Sequence, residues 1–119
     1  MTEEYRLDRP TALTCPECGG ALRTEHIGNL LQFRCHIGHI LSADAMLESQ
    51  FKVLETKLAA ALVAIKERAE LCRQLSEAEI LGADIAALDA AGAEALERAK
   101  IVKRLLENEW RQISVSADA

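Results

Sequence analysis

The chain has 119 residues, a length for one small domain or two very small ones. Half of the residues are apolar and only 3% are aromatic, and the abundance of Ala and Leu favours helices over strands. The net charge of −5 argues against a general nucleic-acid-binding protein, which needs a basic surface to displace the counterions of phosphate groups.

The N-terminal segment is not expected to be a signal peptide, since MTEEYRLDRP is charged and lacks the apolar core of one. No apolar run in the sequence approaches the roughly 20 residues that a transmembrane helix needs. We therefore expect a cytoplasmic protein with no membrane segment, in a reducing compartment where paired cysteines more often bind metal than form disulfides. Residues 1–12 are predicted to be a flexible leader, because Pro10 interrupts regular structure and nothing before it alternates.

The segment that follows has the spacing of a zinc ribbon. Two residues separate Cys15 from Cys18, and three residues separate Cys35 from His39. Zinc takes tetrahedral thiolate and imidazole ligands, and loops of these lengths place two ligands on each side of the ion. Pro and Gly residues around the thiols supply the tight turns that such knuckles need. We therefore predict one zinc ion bound by Cys15, Cys18, Cys35 and His39.

The histidine ligand has an alternative in His36, which follows Cys35 directly. Neighbouring residues point their side chains apart, so His39, which is placed to fold back across a turn at Gly38, is the preferred ligand. Three thiolates and one imidazole fill all four positions of the ion, which leaves none for an activated water. The zinc is therefore expected to be structural, and no catalytic motif elsewhere in the sequence predicts an enzyme.

Between the two ligand pairs the sequence predicts a β-hairpin, with strands at 21–26 and 30–35 and a turn at 27–29 that contains Gly and Asn. Three apolar side chains are expected on one side of this hairpin: Leu22, Leu31 and Phe33. Such a hairpin buries too little to fold alone, because chains below about 40 residues usually need a metal or a disulfide. Zinc meets that need, with apparent binding free energies of about 10–16 kcal/mol in small zinc modules.

After the ribbon the apolar period changes to that of helices. Ser42 is a natural N-cap, and apolar residues then recur every three or four positions, which predicts a first helix from Ala43 to Ile80. Gly82 is expected to end it in the left-handed conformation, and Asp84 to cap a second helix that continues to Ile113. The short connection forces the helices to run antiparallel, which would return Trp110 to the start of the first helix.

The predicted fold is therefore mainly α with a small β zinc ribbon. The expected organisation is a leader at 1–12, a zinc ribbon at 13–41, an antiparallel helical hairpin at 42–113 with its turn near 81–84, and a frayed tail at 114–119. Cys72 is expected to be a small core residue of the hairpin, and a redox role is the alternative.

Two helices alone cannot cover all the apolar side chains of this hairpin. Six of them flank the central contact between the helices: Leu62, Leu71, Leu75, Leu96, Ile101 and Leu105. A hairpin with so wide an apolar stripe tends to dimerise into a four-helix bundle. We therefore predict a homodimer through the helical hairpin.

A family resemblance rests on three parts of the sequence. These are the strings LTCPECGGALR and LLQFRCHIGHILSADAML and the long Ala-, Leu- and Glu-rich hairpin after them, which ends in VKRLL. They resemble the C-terminal extension of some bacterial chemotaxis protein-glutamate methylesterase homologues, over about residues 13–106. The matching positions of that pattern are the four predicted ligands, with Ser42 starting the helix. Ile40 stands where the family commonly has an aromatic residue, a departure that affects packing rather than ligation.

The Ser/His/Asp site of the methylesterase domain has no counterpart in this sequence. The resemblance therefore implies a stand-alone accessory or regulatory module linked to bacterial chemosensory or two-component-like signalling, and not an esterase. The leading hypothesis is a non-catalytic protein-interaction module with an unidentified protein partner. The alternative is a nucleic-acid-binding accessory protein, since the ribbon has a mildly basic face made by Arg23, Arg34, His26 and His36; the acidic total weighs against it.

Overall fold

The computed structural model describes residues 5–115 and confirms a mainly helical protein with a small N-terminal sheet. Four strands form one antiparallel sheet in sequence order: β1 (Leu13–Thr14), β2 (Ala21–Ile27), β3 (Leu30–Cys35) and β4 (Ile40–Ser42). The helices α1 (Ala43–Glu77) and α2 (Ile85–Glu107) follow as a hairpin.

The described residues fall into two compact units. One, here called the sheet unit, ends at Phe51 and includes the segment that begins at Ile113. The other, the helical unit, runs from Lys52 to Gln112, so α1 contributes residues to both. The first turns of α1 therefore belong with the ribbon, whereas the sequence placed the boundary at residue 42.

The sheet unit is centred on the predicted hairpin. Ile27 pairs with Leu30 across a two-residue turn, Gly28-Asn29, in which Gly28 has a φ of 61°. Positive φ is what this kind of hairpin turn requires of its first residue, and Gly adopts it without steric strain. The outer strands β1 and β4 are short and lie beside the ligand pairs, and no alternation in the sequence predicts them.

One face of the sheet carries the core of this unit. Five residues form its buried cluster: Cys15, Leu22, Cys35, Leu41 and Met46. Phe33 packs against the cluster, and Leu31, on the same face, is half-buried. Leu22 pairs with Cys35 and Phe33 with Leu41, so the predicted apolar face is confirmed. Met46, in the first turn of α1, completes it.

The start of α1 is fixed by two side chains. Ser42 Oγ accepts a hydrogen bond from the Ala45 backbone N–H at 3.1 Å, as expected of an N-cap. Asp44 Oδ1 accepts from Ser114 Oγ at 3.0 Å and from the Val115 N–H at 2.8 Å. The first residues of the predicted tail are therefore hydrogen-bonded in the sheet unit, while residues 116–119 lie outside the described range.

The helical unit is an antiparallel pair. Ser76 Oγ donates to Asp89 Oδ1 at 2.6 Å near the turn, and further from it Gly92 lies against Cys72 and Ala69. The contact between the helices, here called the seam, consists of small residues: Ala69, Cys72, Gly92, Ala95 and Ala99. All of these except Gly92 are buried, and Gly92 is half-buried. The predicted core position of Cys72 is confirmed.

Both helices end earlier than predicted. α1 ends at Glu77 rather than Ile80, because Glu79 already has the left-handed conformation, with a φ of 53°; Gly82, with a φ of 83°, lies in the connecting turn. α2 ends at Glu107 rather than Ile113. Its Leu105 carbonyl accepts a hydrogen bond from Trp110 Nε1 at 2.9 Å, which satisfies one of the carbonyl groups that the last turn leaves free.

The cap of α2 at Asp84 is as predicted, because its carboxylate accepts from the Ala87 N–H at 3.0 Å. The predicted position of Trp110 beside the start of the first helix stays a prediction. Neither of the described helices has an apolar stretch that could cross a membrane.

Candidate metal centre

The first knuckle, residues 15–20, folds the chain back on itself through two backbone hydrogen bonds. The Cys15 N–H donates to the Gly20 carbonyl at 2.7 Å, and the Gly19 N–H donates to the Cys15 carbonyl at 2.9 Å. Gly19 has a φ of 79°, a conformation that a residue with a β-carbon adopts only with strain. This turn brings the thiols of Cys15 and Cys18 to the same side.

The second knuckle, residues 35–39, has the same kind of closure. The Cys35 N–H donates to the His39 carbonyl and the Gly38 N–H to the Cys35 carbonyl, both at 3.1 Å. Gly38 has a φ of 109°, so the turn again depends on a glycine. The His39 N–H points at the Cys35 sulfur, 3.3 Å away. The turn at Gly38 folds His39 back towards Cys35, as the sequence predicts.

The four predicted ligands come together, with their ligand atoms all within 4.8 Å of one another. Cys18 Sγ lies 3.7 Å from Cys35 Sγ. His39 Nδ1 lies 3.4 Å from Cys35 Sγ and 3.7 Å from Cys15 Sγ. A tetrahedral ion with metal–sulfur bonds of about 2.3 Å and metal–nitrogen bonds of about 2.05 Å separates its ligand atoms by about 3.8 Å (S···S) and 3.6 Å (S···N). These three separations therefore fit a tetrahedral metal ion.

The same distances exclude a disulfide in this structure, since an S–S bond is about 2.05 Å long and all four cysteines are free. Cys15 and Cys35 are buried in the core of the sheet unit, whereas Cys18 is more exposed. Two of the ligands are thus also core residues of this unit.

The protein groups around the site favour a thiolate at Cys35. Burial raises the pKa of this thiol, but hydrogen bonds outweigh burial and lower the pKa to about 6. They come from N–H groups of the second knuckle, that of His39 foremost, and from the Cys18 thiol. The pKa of Cys15 is also lowered, because the N–H groups of Glu17 and Cys18 outweigh its burial. Hydrogen bonds to Cys35 and Cys15 raise the pKa of His39. Cys35 and Cys15 are therefore more readily deprotonated than free thiols, and His39 is more readily protonated than a free imidazole.

Cys18 differs from the other two thiols. The Gly20 N–H lowers its pKa, but burial and the neighbouring sulfurs of Cys15 and Cys35 raise it more, so the net shift is upward. Three thiolates placed this close repel one another in the absence of a compensating cation. A bound metal ion would supply that cation, because coordination requires the thiols in the deprotonated form.

Sequence reasoning missed one residue of the site, Glu17. His39 turns Nδ1 to the thiols and Nε2 outwards, and Glu17 Oε2 lies 3.3 Å from Nε2. Glu17 is one of the two residues between Cys15 and Cys18, so only the fold of both knuckles brings it to His39. The one feature of the sequence that points to Glu17 is the position of an acidic residue inside the Cys-x₂-Cys loop.

The other histidines do not join the cluster. Among the described residues, the group able to hold a metal contains His39 and neither His36 nor His26. His36 instead packs on the first knuckle, where a β-carbon at Gly20 would come within 3.2 Å of its Cε1. His26 is exposed at the far end of β2. Of the two predicted alternatives, the structure therefore places His39 at the site.

Comparison of the chain with family models, curated proteins and solved structures finds no match. The resemblance of the two knuckles to the methylesterase-associated extension accordingly stays a prediction.

Proposed function

We propose that the protein binds one Zn²⁺ ion as a structural element. The observation that carries this proposal is the donor set: three sulfurs and one imidazole nitrogen within 4.8 Å of one another, with three of their separations at 3.4–3.7 Å. Mixed thiolate and imidazole ligation favours zinc over the harder cations, and iron of the rubredoxin type takes four thiolates. When four protein ligands are bound, no position is left for an activated water, so the proposed role is non-catalytic.

Metal analysis and cobalt spectroscopy test this proposal. Protein purified without added metal should contain one zinc per chain, and His39→Ala should lose it. Replacement by Co²⁺ should give intense tetrahedral absorption with sulfur-to-cobalt charge transfer. A purified chain without zinc that also fails to bind Co²⁺ would contradict the proposal, and a five- or six-coordinate spectrum would contradict the closed site.

We propose further that the helical unit is the interaction surface of the protein. Four of the six apolar residues expected to flank the seam are exposed: Leu71 by 56%, Leu96 by 53%, Ile101 by 49% and Leu105 by 41%. Groups of large apolar side chains that remain exposed to solvent are typical of surfaces that bind other proteins. The proposed role is therefore that of a zinc-stabilised interaction or regulatory module.

A second copy of the chain is the proposed first occupant of this surface, as a homodimer. A groove along the helical unit is lined by Leu88 and Leu96 together with Lys66, Glu70 and Asp89. Apolar residues accompanied by charges of both signs suit pairing with the same surface of another copy, because an isologous interface must be self-complementary.

Light scattering coupled to size exclusion tests the dimer at micromolar concentration. The protein should elute at twice its chain mass of 13.0 kDa. Leu96→Glu places a charge on the proposed interface and should shift the protein to monomer, whereas Ala90→Glu, at an exposed position of the same helix, should leave the dimer intact. A monomeric parent protein would contradict this part of the proposal.

A heterologous protein partner, in chemosensory or two-component-like signalling, is proposed on the strength of the knuckle resemblance alone. Affinity capture from native cells followed by mass spectrometry tests this proposal. Proteins captured by the parent chain are compared with those captured by the Leu96→Glu variant. Nucleic acid is the less favoured partner, because the Arg34 guanidinium already pairs with Glu25 at 2.7 Å. Salt-sensitive binding to a labelled oligonucleotide would favour that alternative.

A further inference from the structure

The imidazole of His39 is oriented by its surroundings in a way that bears on metal affinity. Its Nδ1 faces the Cys35 and Cys15 sulfurs at 3.4 and 3.7 Å. A neutral imidazole that binds a metal through Nδ1 must carry its proton on Nε2. The Nε2 atom is the one that lies 3.3 Å from Glu17 Oε2.

We propose that Glu17 is the positioning residue of the metal site, accepting a hydrogen bond from Nε2–H of His39 when Nδ1 binds the ion. This inference rests on the proposed zinc site. Ligating histidines commonly donate their second N–H to a carboxylate, which fixes both the tautomer and the plane of the ring and makes the ligand nitrogen more basic. Glu17 itself does not touch the metal.

The place of Glu17 in the chain strengthens this assignment. It lies between Cys15 and Cys18, so its backbone is part of the turn that positions those thiols, while its side chain reaches a ligand of the second knuckle. The contact between Glu17 and His39 therefore links the two knuckles directly, in addition to the link that a shared metal ion would make. Three thiolates and one zinc ion already carry a net negative charge, so a carboxylate adds to this charge and does not neutralise it. The role of Glu17 is therefore to orient the imidazole of His39.

The side chain of Glu17 is 61% exposed and that of His39 36% exposed, so water competes for the same hydrogen bond. Loss of an outer-shell partner typically lowers metal affinity by about 10- to 100-fold. For so exposed a contact we expect a value near the lower limit, about tenfold.

Chelator competition on the full-length chain tests the proposal, using Zn²⁺ and Co²⁺ as probes. Glu17→Ala should weaken binding of both ions about tenfold, and Glu17→Gln, whose amide oxygen still accepts from Nε2–H, should recover part of that loss. Glu25→Gln is the matched control, since Glu25 lies in the same sheet but pairs with Arg34 and should leave affinity unchanged.

Long-range ¹H–¹⁵N correlation spectra of the zinc-loaded protein give a readout that a general loss of stability would not produce. The parent protein should show His39 metallated at Nδ1 with the proton on Nε2. In Glu17→Ala the Nε2–H signal should exchange faster with water than in Glu25→Gln, and the cobalt absorption bands should shift.

Three results would overturn the inference while leaving the zinc site in place. The first is unchanged metal affinity in Glu17→Ala, and the second is coordination of His39 through Nε2 in the parent protein. The third is a Glu17→Gln affinity no higher than that of Glu17→Ala. If the parent chain binds no metal at all, the proposed function fails as well, so the two failures are distinguishable.

Discussion

The sheet unit and the helical unit differ in what they bury. Of the five residues in the buried cluster of the sheet unit, Cys15 and Cys35 are also the two most buried candidate metal ligands. The helical unit buries Ala69, Cys72, Ala95 and Ala99 and leaves much larger apolar side chains exposed. Ligation and core packing therefore coincide in the first unit, whereas the second depends on close approach of two backbones.

This difference predicts different vulnerabilities. Removing the metal should act on the sheet unit, because a small core that includes two thiolates cannot offset both the lost coordination and the repulsion between the ligands. Changing side-chain volume in the seam should act on the helical unit, because small residues allow the helices to approach and larger ones force them apart.

The largest expected effect is that of Cys35→Ser, which removes a ligand and a core residue together. Metal binding should be lost, and the sheet unit with it, since zinc supplies about 10–16 kcal/mol of apparent folding free energy in small modules. Most of the far-UV helical signal should remain. Cys72→Ser also removes a buried thiol, but from the seam, and should keep the metal. If both variants lost the metal equally, the division between the units would be wrong.

Ala95→Leu should have the next largest effect, because Ala95 is only 4% exposed in the seam. Overpacking a closely packed core costs about 1–3 kcal/mol, which urea unfolding followed by circular dichroism would measure. Zinc content should be unchanged. Ala90→Leu, at an exposed position of α2, serves as the control and should alter the midpoint little. Equal destabilisation by the two substitutions would contradict a close-packed seam.

Gly92→Ala tests the packing of the same seam, but here we expect stability to increase. A β-carbon at Gly92 would lie 3.4 Å from the Cys72 β-carbon and 3.7 Å from the Ala69 carbonyl oxygen, which is ordinary contact. Because glycine inside a helix is less stable than alanine by about 0.5–1 kcal/mol, the substitution should raise stability by up to that amount. A decrease in the urea midpoint would show that the seam has no room even for a methyl group.

The smallest expected effect is electrostatic and lies on the surface of α1. Hydrogen bonds from Arg73 and Gln74 lower the pKa of Glu70 to about 2. A carboxyl whose pKa is lower in the folded state stabilises the fold above its unfolded value of about 4.3 and loses that contribution as the pH falls towards 2. In Arg73→Ala the pKa of Glu70 should rise, as carboxyl NMR titration would show, with little change in stability because the pair is exposed.

Local signals in the sequence predicted most of the site. The Cys and His spacings give the ligand set, because two short loops closed by glycines have few ways to place four donors around one ion. Ser42 and Asp84 predicted the helix starts for a similar reason, since an N-cap bonds to the backbone only three residues away. Each of these features depends on residues that are close together in the chain.

Features that depend on distant residues were not predictable in this way. β1 and β4 are two and three residues long, and they are strands only because the knuckles return them to β2 and β3. The sequence predicts a second helix that continues to Ile113, yet α2 ends at Glu107, and the Trp110 side chain donates to a carbonyl of the last turn. Glu17 reaches His39 across 22 residues of sequence, a contact that no spacing rule encodes.

The most direct test of a metal-dependent sheet unit and a metal-independent helical unit is hydrogen exchange at residue resolution, before and after treatment with a strong chelator. The backbone N–H groups of β2 and β3 should lose their protection when the metal is removed, and those of α1 and α2 around the seam should keep it. Protection of β2 and β3 that survives chelation, or loss of protection throughout both helices, would contradict the account.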